Sequence, residues 1–128
     1  MVIVRWNSRV LALILCLGLS LVSTPTTRAE TQTFNLEIRA RKVVGTTRTL
    51  RVKQGETAMI RWTTDETVAL HLHGYDIEQV VMPGTPTELT FKAHATGRFP
   101  ITAHGFGGHS HKGAHDETTL AYIEVLPR

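Results

Sequence analysis

Short segments in which apolar and polar side chains alternate run from residue 33 to the end of the chain. In the first of them, Phe34, Leu36 and Ile38 alternate with polar residues. The same two-residue period returns around Ile60 and Leu70. Successive side chains of a β-strand point to opposite faces, so this period predicts strands with one buried face. The predicted strands lie near residues 34–38, 50–52, 58–62, 68–73, 77–82, 89–91, 99–104 and 120–125.

Turn residues separate these segments, as at Gln54-Gly55 and Pro83-Gly84. No stretch carries a convincing helical stripe of apolar residues. Short strands at close spacing are typical of an antiparallel sandwich or barrel. The sequence therefore predicts an all-β fold, a β-sandwich of about seven or eight strands in two packed sheets.

The N-terminal residues have the pattern of an export signal. Arg5 and Arg9 precede an apolar run over residues 10–22, and Ala29 follows at a suitable cleavage position. This order defines a secretory signal peptide, and the run is shorter than the roughly 20 apolar residues that a membrane span needs. We expect residues 1–29 to be removed, leaving one domain over residues 30–128 in the periplasm or outside the cell. An uncleaved membrane anchor is the alternative.

Cleavage changes both charge and cysteine content. The full chain has 14 basic and 11 acidic residues, and three of the arginines precede residue 30, so the mature charges balance. No basic patch with interleaved aromatic residues remains, and nucleic acid is not an expected partner. Cys16, the only cysteine, also leaves with the signal. A lipid anchor on Cys16 is disfavoured, because bulky Leu15 precedes it. The mature chain can then form neither a disulfide nor a metal-bound thiolate.

Histidine is the distinctive residue of the remaining chain, with all seven copies between residues 71 and 115. His71 and His73 are two residues apart, so they point to the same face of a strand, opposite the apolar Val68, Leu70 and Leu72. Neutral imidazole is a ligand for copper, zinc, nickel and iron. Glycines in the loop over residues 105–117 allow several rings to converge. The candidate metal ligands are His71, His73, His104, His109 and His111.

Other polar residues near these positions are interpreted differently. His94 stands apart in a polar stretch, and we expect no metal role for it. His115 is beside an acidic residue and is not among the candidate ligands. The nearby acids are expected to be solvated, or at most to hold a histidine tautomer through a hydrogen bond. These acids are Asp76, Glu78, Asp116 and Glu117.

Two stretches of the chain resemble a cupredoxin. Residues 50–77, LRVKQGETAMIRWTTDETVALHLHGYDI, contain a Gly55-Glu56 turn, then Trp62, then His73 before Gly74-Tyr75. Residues 82–105, MPGTPTELTFKAHATGRFPITAHG, resemble the proline-glycine turn and the Gly-x-Phe strand that leads to the metal loop. The sequence His71-Leu72-His73-Gly74 is also similar to the His-x-His-Gly motif of multicopper oxidases. The resemblance implies a Greek-key sandwich, with His73 as the first copper ligand and further ligands after residue 103.

The chain departs from this family at the metal site. Ala103 or His104 stands where a blue copper protein has cysteine, and no methionine follows Met82. A blue copper centre needs that thiolate, so we expect instead an all-histidine, type-2-like site. Copper outcompetes zinc for nitrogen ligands, which makes Cu(II) the first expectation and zinc the second. Because His73 and His104 each end a strand, we expect them to meet at one pole of the sandwich.

These sequence features bear on three possible functions. The first is an exported metal-binding protein that buffers Cu(II) or transfers it, with a periplasmic or membrane protein as a further partner. The alternative is a metal-free scaffold that serves as a protein-interaction module. An enzyme is disfavoured. A copper mono-oxygenase of the histidine-brace type needs an N-terminal histidine, whereas the predicted mature chain starts at Glu30, and the sequence supports neither a catalytic triad nor paired carboxylates. Electron transfer is implied by the family resemblance alone, and fold is a poor guide to function.

Overall fold

The computed structural model describes residues 30–108 and 117–128. Nine strands form within these ranges, and eight of them coincide with the predicted segments. A two-residue strand after the first turn is the addition. The strands are β1 (Thr31–Arg39), β2 (Lys42–Val43), β3 (Thr49–Lys53), β4 (Thr57–Thr64), β5 (Val68–Leu72), β6 (Ile77–Val81), β7 (Thr87–Lys92), β8 (Gly97–His104) and β9 (Thr118–Leu126). A short 3₁₀ turn, Phe106–Gly108, follows β8.

The strands form two sheets, as the alternation predicted. One has the order β2-β1-β4-β7 and the other the order β3-β9-β8-β5-β6. Two of the pairs, β1 with β4 and β3 with β9, are parallel, which differs from the antiparallel expectation. Alternation sets which face of a strand is buried but carries no information on strand direction, so this difference could not be predicted from the period alone.

The core lies between the two sheets and follows the two-residue period. In β5, Val68, Leu70 and Leu72 are fully buried, whereas Ala69 and His71 are only partly buried. This pattern confirms that His71 lies on the outer face of the five-stranded sheet. The largest fully buried side chains are Trp62, Ile38, Ile60, Leu70, Leu72, Leu89, Ile101 and Ile123.

A β-bulge interrupts the pairing of β8 with β9. Ile101 pairs with Ala121, but Thr102 pairs with Thr119, which leaves Leu120 as an extra residue on β9. Leu120 and Ala121 are consequently both buried although they are neighbours in sequence. A bulge re-aims the side chains that lie beyond it. This one brings Thr119, and Glu117 two residues before it, to the face that carries Thr102.

The predicted export signal, residues 1–29, and residues 109–116 of the predicted loop over residues 105–117 lie outside the described residues. Within residues 30–108 and 117–128, no helix has the length and hydropathy needed to cross a bilayer.

Candidate metal centre

The turn between β5 and β6 places His73 beside His71. His73 follows the last residue of β5, and its backbone N–H still donates to the carbonyl of Pro100, at 3.1 Å. Gly74 comes next with a φ of 82°, and a Cβ built on it would lie 2.4 Å from Cδ1 of Phe99. Glycine is therefore required, both for the left-handed backbone and for the close approach of the Phe99 ring. This turn keeps His73 on the same face as His71.

The two imidazoles are close neighbours on the outer face. Their ring centroids are 4.1 Å apart, and the ring planes are tilted by 41°. The side chain of His71 is 21% exposed and that of His73 is 37% exposed. Nε2 of His71 lies 3.6 Å from Oδ1 of Asp76, a carboxylate that is fully exposed. Both rings are thus held by the sheet but are open to solvent on one side.

Thr102 lies directly across from His71 in the pairing of β5 with β8. It is a buried polar residue, 6% exposed, and its hydroxyl is shared by several partners. The hydroxyl donates to Oε1 of Glu117, and Nε2 of His73 is 2.9 Å from the same hydroxyl. A buried hydroxyl is stable only when it is hydrogen-bonded, so Thr102 joins the histidines to β9.

Glu117, the residue directly before β9, completes this network. Its Oε1 lies 2.9 Å from Nε2 of His73. The Thr102 hydroxyl, and then the His73 ring, stabilise the charged carboxylate, so the pKa of Glu117 is lowered from its ordinary value. Since this carboxylate accepts hydrogen bonds only, the network is satisfied when Nε2 of His73 carries a proton.

His71, His73 and Glu117 have the chemistry of a metal-binding group. One ligand atom from each residue lies within 4.8 Å of the other two. Ligand atoms on a single ion are separated by at most about 4.2 Å when the bonds are near 2.1 Å. Three ligand atoms on one ion lie closer still, so side-chain shifts of about 1 Å would be needed to bring two imidazole nitrogens and a carboxylate oxygen onto one ion. This set fits Cu(II) or zinc, and it does not fit a blue copper centre.

The sequence-predicted ligands are found in different places. His71 and His73 are together in the group. His104 pairs with Ala69 at the end of β8, so Thr102 rather than His104 faces His71, and His104 is not a member of the group. His109 and His111 lie outside the described residues.

Three further residues bear on the sequence-based interpretation. His94 packs against Tyr75, with ring centroids 4.7 Å apart. Ala103, at a position proposed for the blue-copper cysteine, is fully buried. Glu117 was predicted to be solvated or, at most, a hydrogen-bond partner that fixes a histidine tautomer. Glu117 is 41% exposed and lies within hydrogen-bond distance of His73, and its carboxylate is also a third ligand-capable group.

Comparison with known proteins identifies the fold. No family model matches the chain, and no curated protein matches it either. Solved structures do. A copper nitrite reductase from Nitrosomonas europaea is 16% identical, with a TM-score of 0.57 over 77% of this chain and 42% of that one. A copper-binding protein in the apo form is 11% identical, with a TM-score of 0.56 over 77% and 91%.

A third similar structure is the periplasmic domain of subunit II of cytochrome oxidase from Bradyrhizobium japonicum. It is 14% identical, with a TM-score of 0.52 over 74% of this chain and 83% of that one. Against the longer copper oxidases the chain spans between 31% and 63% of the matched chain. The chain therefore has a cupredoxin-like fold, as the sequence resemblance implied. At these identities, the likeness defines the fold and leaves function to the site.

Proposed function

We propose that the protein is an exported metal-binding protein that holds Cu(II) through His71, His73 and Glu117 and serves metal buffering or transfer. The observation that carries the proposal is the convergence of three ligand-capable atoms within 4.8 Å on one face of the five-stranded sheet. Two of these residues follow from β5 and its turn, and the third precedes β9. The folded sheet thus assembles a donor set from segments far apart in sequence.

The donor set favours copper over other divalent metals. Two imidazoles and a carboxylate are borderline and hard ligands, and Cu(II) has the highest affinity among the first-row divalent ions for such a site. Zinc is the competing ion. Proteins of this fold include a copper nitrite reductase and a copper-binding protein, which supports copper as the ion to test first.

Solvent access at the group supports exchange of the metal rather than its permanent burial. The side chains of His73 and Glu117 are 37% and 41% exposed. An ion held there would be reachable by a chelating partner, such as a periplasmic or membrane protein. No cysteine exists after Cys16, so the thiolate that tunes blue copper for electron transfer is absent from this part of the chain. Buffering or transfer is the use that suits such a centre.

The proposed location outside the cytoplasm rests on the N-terminal sequence. A basic start, a short apolar run and Ala29 form the pattern of a cleaved signal peptide. The similar fold of a periplasmic oxidase domain is in keeping with this location. N-terminal sequencing of the exported protein tests it, and a chain starting at residue 30 is the expected result.

A second function is favoured by one specific observation. The hydrogen bonds among His73, Thr102 and Glu117 are complete without a metal ion. The same residues therefore suit a metal-free scaffold that acts as a protein-interaction module. In that case the histidines would stabilise the sheet face through hydrogen bonds and would not bind Cu(II) tightly.

Titration of the untagged protein with Cu(II) separates the two functions. We expect one equivalent to bind with a Kd below about 1 μM and with the electron paramagnetic resonance signal of a type-2 centre with nitrogen ligands. His71→Ala and His73→Ala should each weaken binding strongly. His94→Ala is the matched control and should leave it unchanged. Wild-type affinity in the His73→Ala variant would rule out this site, and weak binding by the wild type would favour the metal-free scaffold.

A further inference from the structure

A second polar feature lies where the edges of the two sheets come together. A cavity of about 210 Å³ opens between β2, at the edge of the four-stranded sheet, and the start of β9. Its floor is apolar, formed by the buried side chains of Val43 and Leu120. Its wall is polar, formed by Arg41, Lys42, Arg48, Thr118 and Thr119.

The wall of this cavity is strongly basic. Three cationic side chains line it, and none of its described lining residues is acidic. Arg41 is partly neutralised, because its Nη2 lies 3.2 Å from a carboxylate oxygen of Glu66. No described carboxylate lies within ion-pair distance of Lys42 or Arg48. Two positive charges at the cavity are therefore without a partner among residues 30–108 and 117–128.

The backbone at this cavity is held in an unfavourable conformation. Ala40 and Arg41, the two residues between β1 and β2, have φ angles of 46° and 64°. A two-residue hairpin needs positive φ at both positions, which normally selects asparagine or glycine. The backbone N–H of Ala40 donates to Oδ2 of Asp65 at 2.9 Å, which stabilises the turn. Non-glycine residues in this region cluster at functional sites, and here the turn carries Arg41 and Lys42 to the cavity.

The neighbouring elements fix the remaining wall residues. The carbonyl of Arg48 accepts a hydrogen bond from the backbone N–H of Tyr122 at 2.7 Å, which ties Arg48 to β9. Cζ of Arg41 lies 5.3 Å from the ring centroid of Phe106. Thr118 and Thr119 are the first residues of β9. The three basic residues and the start of β9 thus line one cavity from three separate segments of the chain.

We infer that this cavity is an oxyanion site, and that its ligand is a phosphate group, either as the free ion or as part of a larger molecule. Guanidinium and ammonium groups form short, charge-assisted hydrogen bonds with phosphate oxygens, and hydroxyl groups donate to the remaining ones. Lys42 and Arg48 supply charge that no described carboxylate neutralises, and Thr118, which pairs with the buried Ala103, supplies a hydroxyl donor. The volume accommodates a phosphate group with several water molecules.

The oxyanion site is separate from the candidate metal centre, although β9 connects them. Thr118 directly follows Glu117, and Thr119 pairs with Thr102 across the bulge. The cavity is lined by none of the three ligand-capable residues of the metal centre. The inference therefore does not rest on metal binding and can fail or succeed independently of it.

Binding of inorganic phosphate to the metal-free protein tests the inference. Amide resonances are followed during titration with phosphate at constant ionic strength, with chloride as the reference anion. We expect saturable shifts confined to the cavity-lining residues 41–43, 48 and 118–120. Lys42→Gln and Arg48→Gln should each weaken phosphate binding about tenfold, because each removes a charge-assisted hydrogen bond. Arg61→Gln is the matched control, since Arg61 is exposed on β4 and does not line the cavity.

A second arm distinguishes the source of the phosphate group. Sedimentation with phosphatidylcholine vesicles, with and without phosphatidylglycerol, reports a lipid headgroup. Association that needs the anionic lipid and is lost in Arg48→Gln assigns the phosphate to a headgroup. Saturable binding of the free ion assigns it to a soluble ligand. The inference is overturned if neither arm shows binding, or if Arg61→Gln weakens binding as much as Lys42→Gln and Arg48→Gln do.

Discussion

Nε2 of His73 lies 2.9 Å from Oε1 of Glu117, although the two residues are 44 positions apart in sequence. The Thr102 hydroxyl contacts both of these atoms and donates to the carboxylate. His71 is also close, with its ring centroid 4.1 Å from that of His73. Through these contacts the Glu117 carboxylate is fixed next to the two imidazoles, so a change at Glu117 should affect both metal binding and stability.

Replacement of Glu117 should weaken Cu(II) binding. Glu117→Gln keeps the size of the side chain but removes its charge, so the ion loses an anionic donor. We expect an affinity loss of about ten- to a hundredfold, in the range seen when carboxylates close to a metal site are altered. Competition titration against a chelator of known affinity measures it. Glu88→Gln, at an exposed position on β7, is the control, and an equal loss in both variants would contradict a specific role for Glu117.

Cu(II) affinity should depend on pH. Imidazole must be neutral to bind a metal, so affinity is expected to fall as the pH drops through the range in which histidine ordinarily gains its proton. Coordination through Nε2 of His73 would move the proton that this atom shares with Thr102 and Glu117 to Nδ1 of the same ring, without net release. At a pH low enough for the rings to be charged, copper binding should release protons, which titration in two buffers of different ionisation enthalpy detects. Binding that is independent of pH between 5 and 8 would contradict histidine coordination.

The metal-free protein should lose stability in acid through Glu117. Its pKa is lowered because hydrogen bonds from the Thr102 hydroxyl, and then from His73, favour the charged form. A carboxylate of this kind stabilises the folded chain above the ordinary glutamate pKa, and this contribution is lost as the pH falls through the lowered, folded-state pKa. The side chain is 41% exposed, so the effect should be small.

Thermal unfolding from pH 7 to pH 3 measures this contribution. We expect Glu117→Gln to have a lower Tm than the wild type near neutral pH and a similar Tm at the acid end. The difference between the two proteins should therefore shrink as the pH falls. A difference that grows in acid would have the wrong sign for a lowered pKa and would exclude this explanation.

Replacement of Gly74 by alanine should destabilise the protein more than the same replacement at Gly84, because only Gly74 is packed against another side chain. Gly74→Ala would place a methyl group 2.4 Å from Cδ1 of Phe99, at a φ of 82°. Gly84 has a similar φ of 74° but nothing within 4 Å of an added Cβ. We expect Gly84→Ala to lower the free energy of unfolding by about 1–2 kcal/mol from backbone strain alone. Gly74→Ala should lower it by a further 1 kcal/mol or more, about the cost of an overpacked core.

Urea unfolding of the two glycine variants provides the comparison. Gly74→Ala should also weaken Cu(II) binding, since the turn that positions His73 must shift to accommodate the methyl group. Gly84→Ala lies outside this turn and should bind copper like the wild type. Equal destabilisation of the two variants would show that Phe99 adapts without strain.

Much of the fold was accessible from the sequence. The alternation around Val68, Leu70 and Leu72 placed β5 and put His71 on the outer face, and both predictions are confirmed. The family resemblance implied the cupredoxin-like fold, which the solved structures bear out. The parallel pairing of β1 with β4 was missed, because the alternation of side chains is the same for both strand directions.

The site was harder to predict, because a β-bulge in β9 changes which face of the sheet its side chains point to. A regular strand would place Leu120 and Glu124 on the same face, and Glu117 on the opposite one. The extra residue at Leu120 reverses the alternation of faces for the residues that precede it. Glu117 therefore lies on the same face as Thr102. The signal of the bulge was present as two adjacent apolar residues, Leu120-Ala121, in an otherwise alternating segment. Thr102 was not predicted. Only histidines of β8 were considered as ligands, so His104 was included and Thr102, two positions earlier on the same face, was not.

The position of β9 has a consequence for folding. Although β9 follows the other eight described strands along the chain, it lies inside the five-stranded sheet, between β3 and β8. Without β9, β3 has no hydrogen-bonding neighbour in that sheet. Completion of the sheet therefore depends on pairing between segments far apart in sequence, which is typical of slowly folding β-proteins.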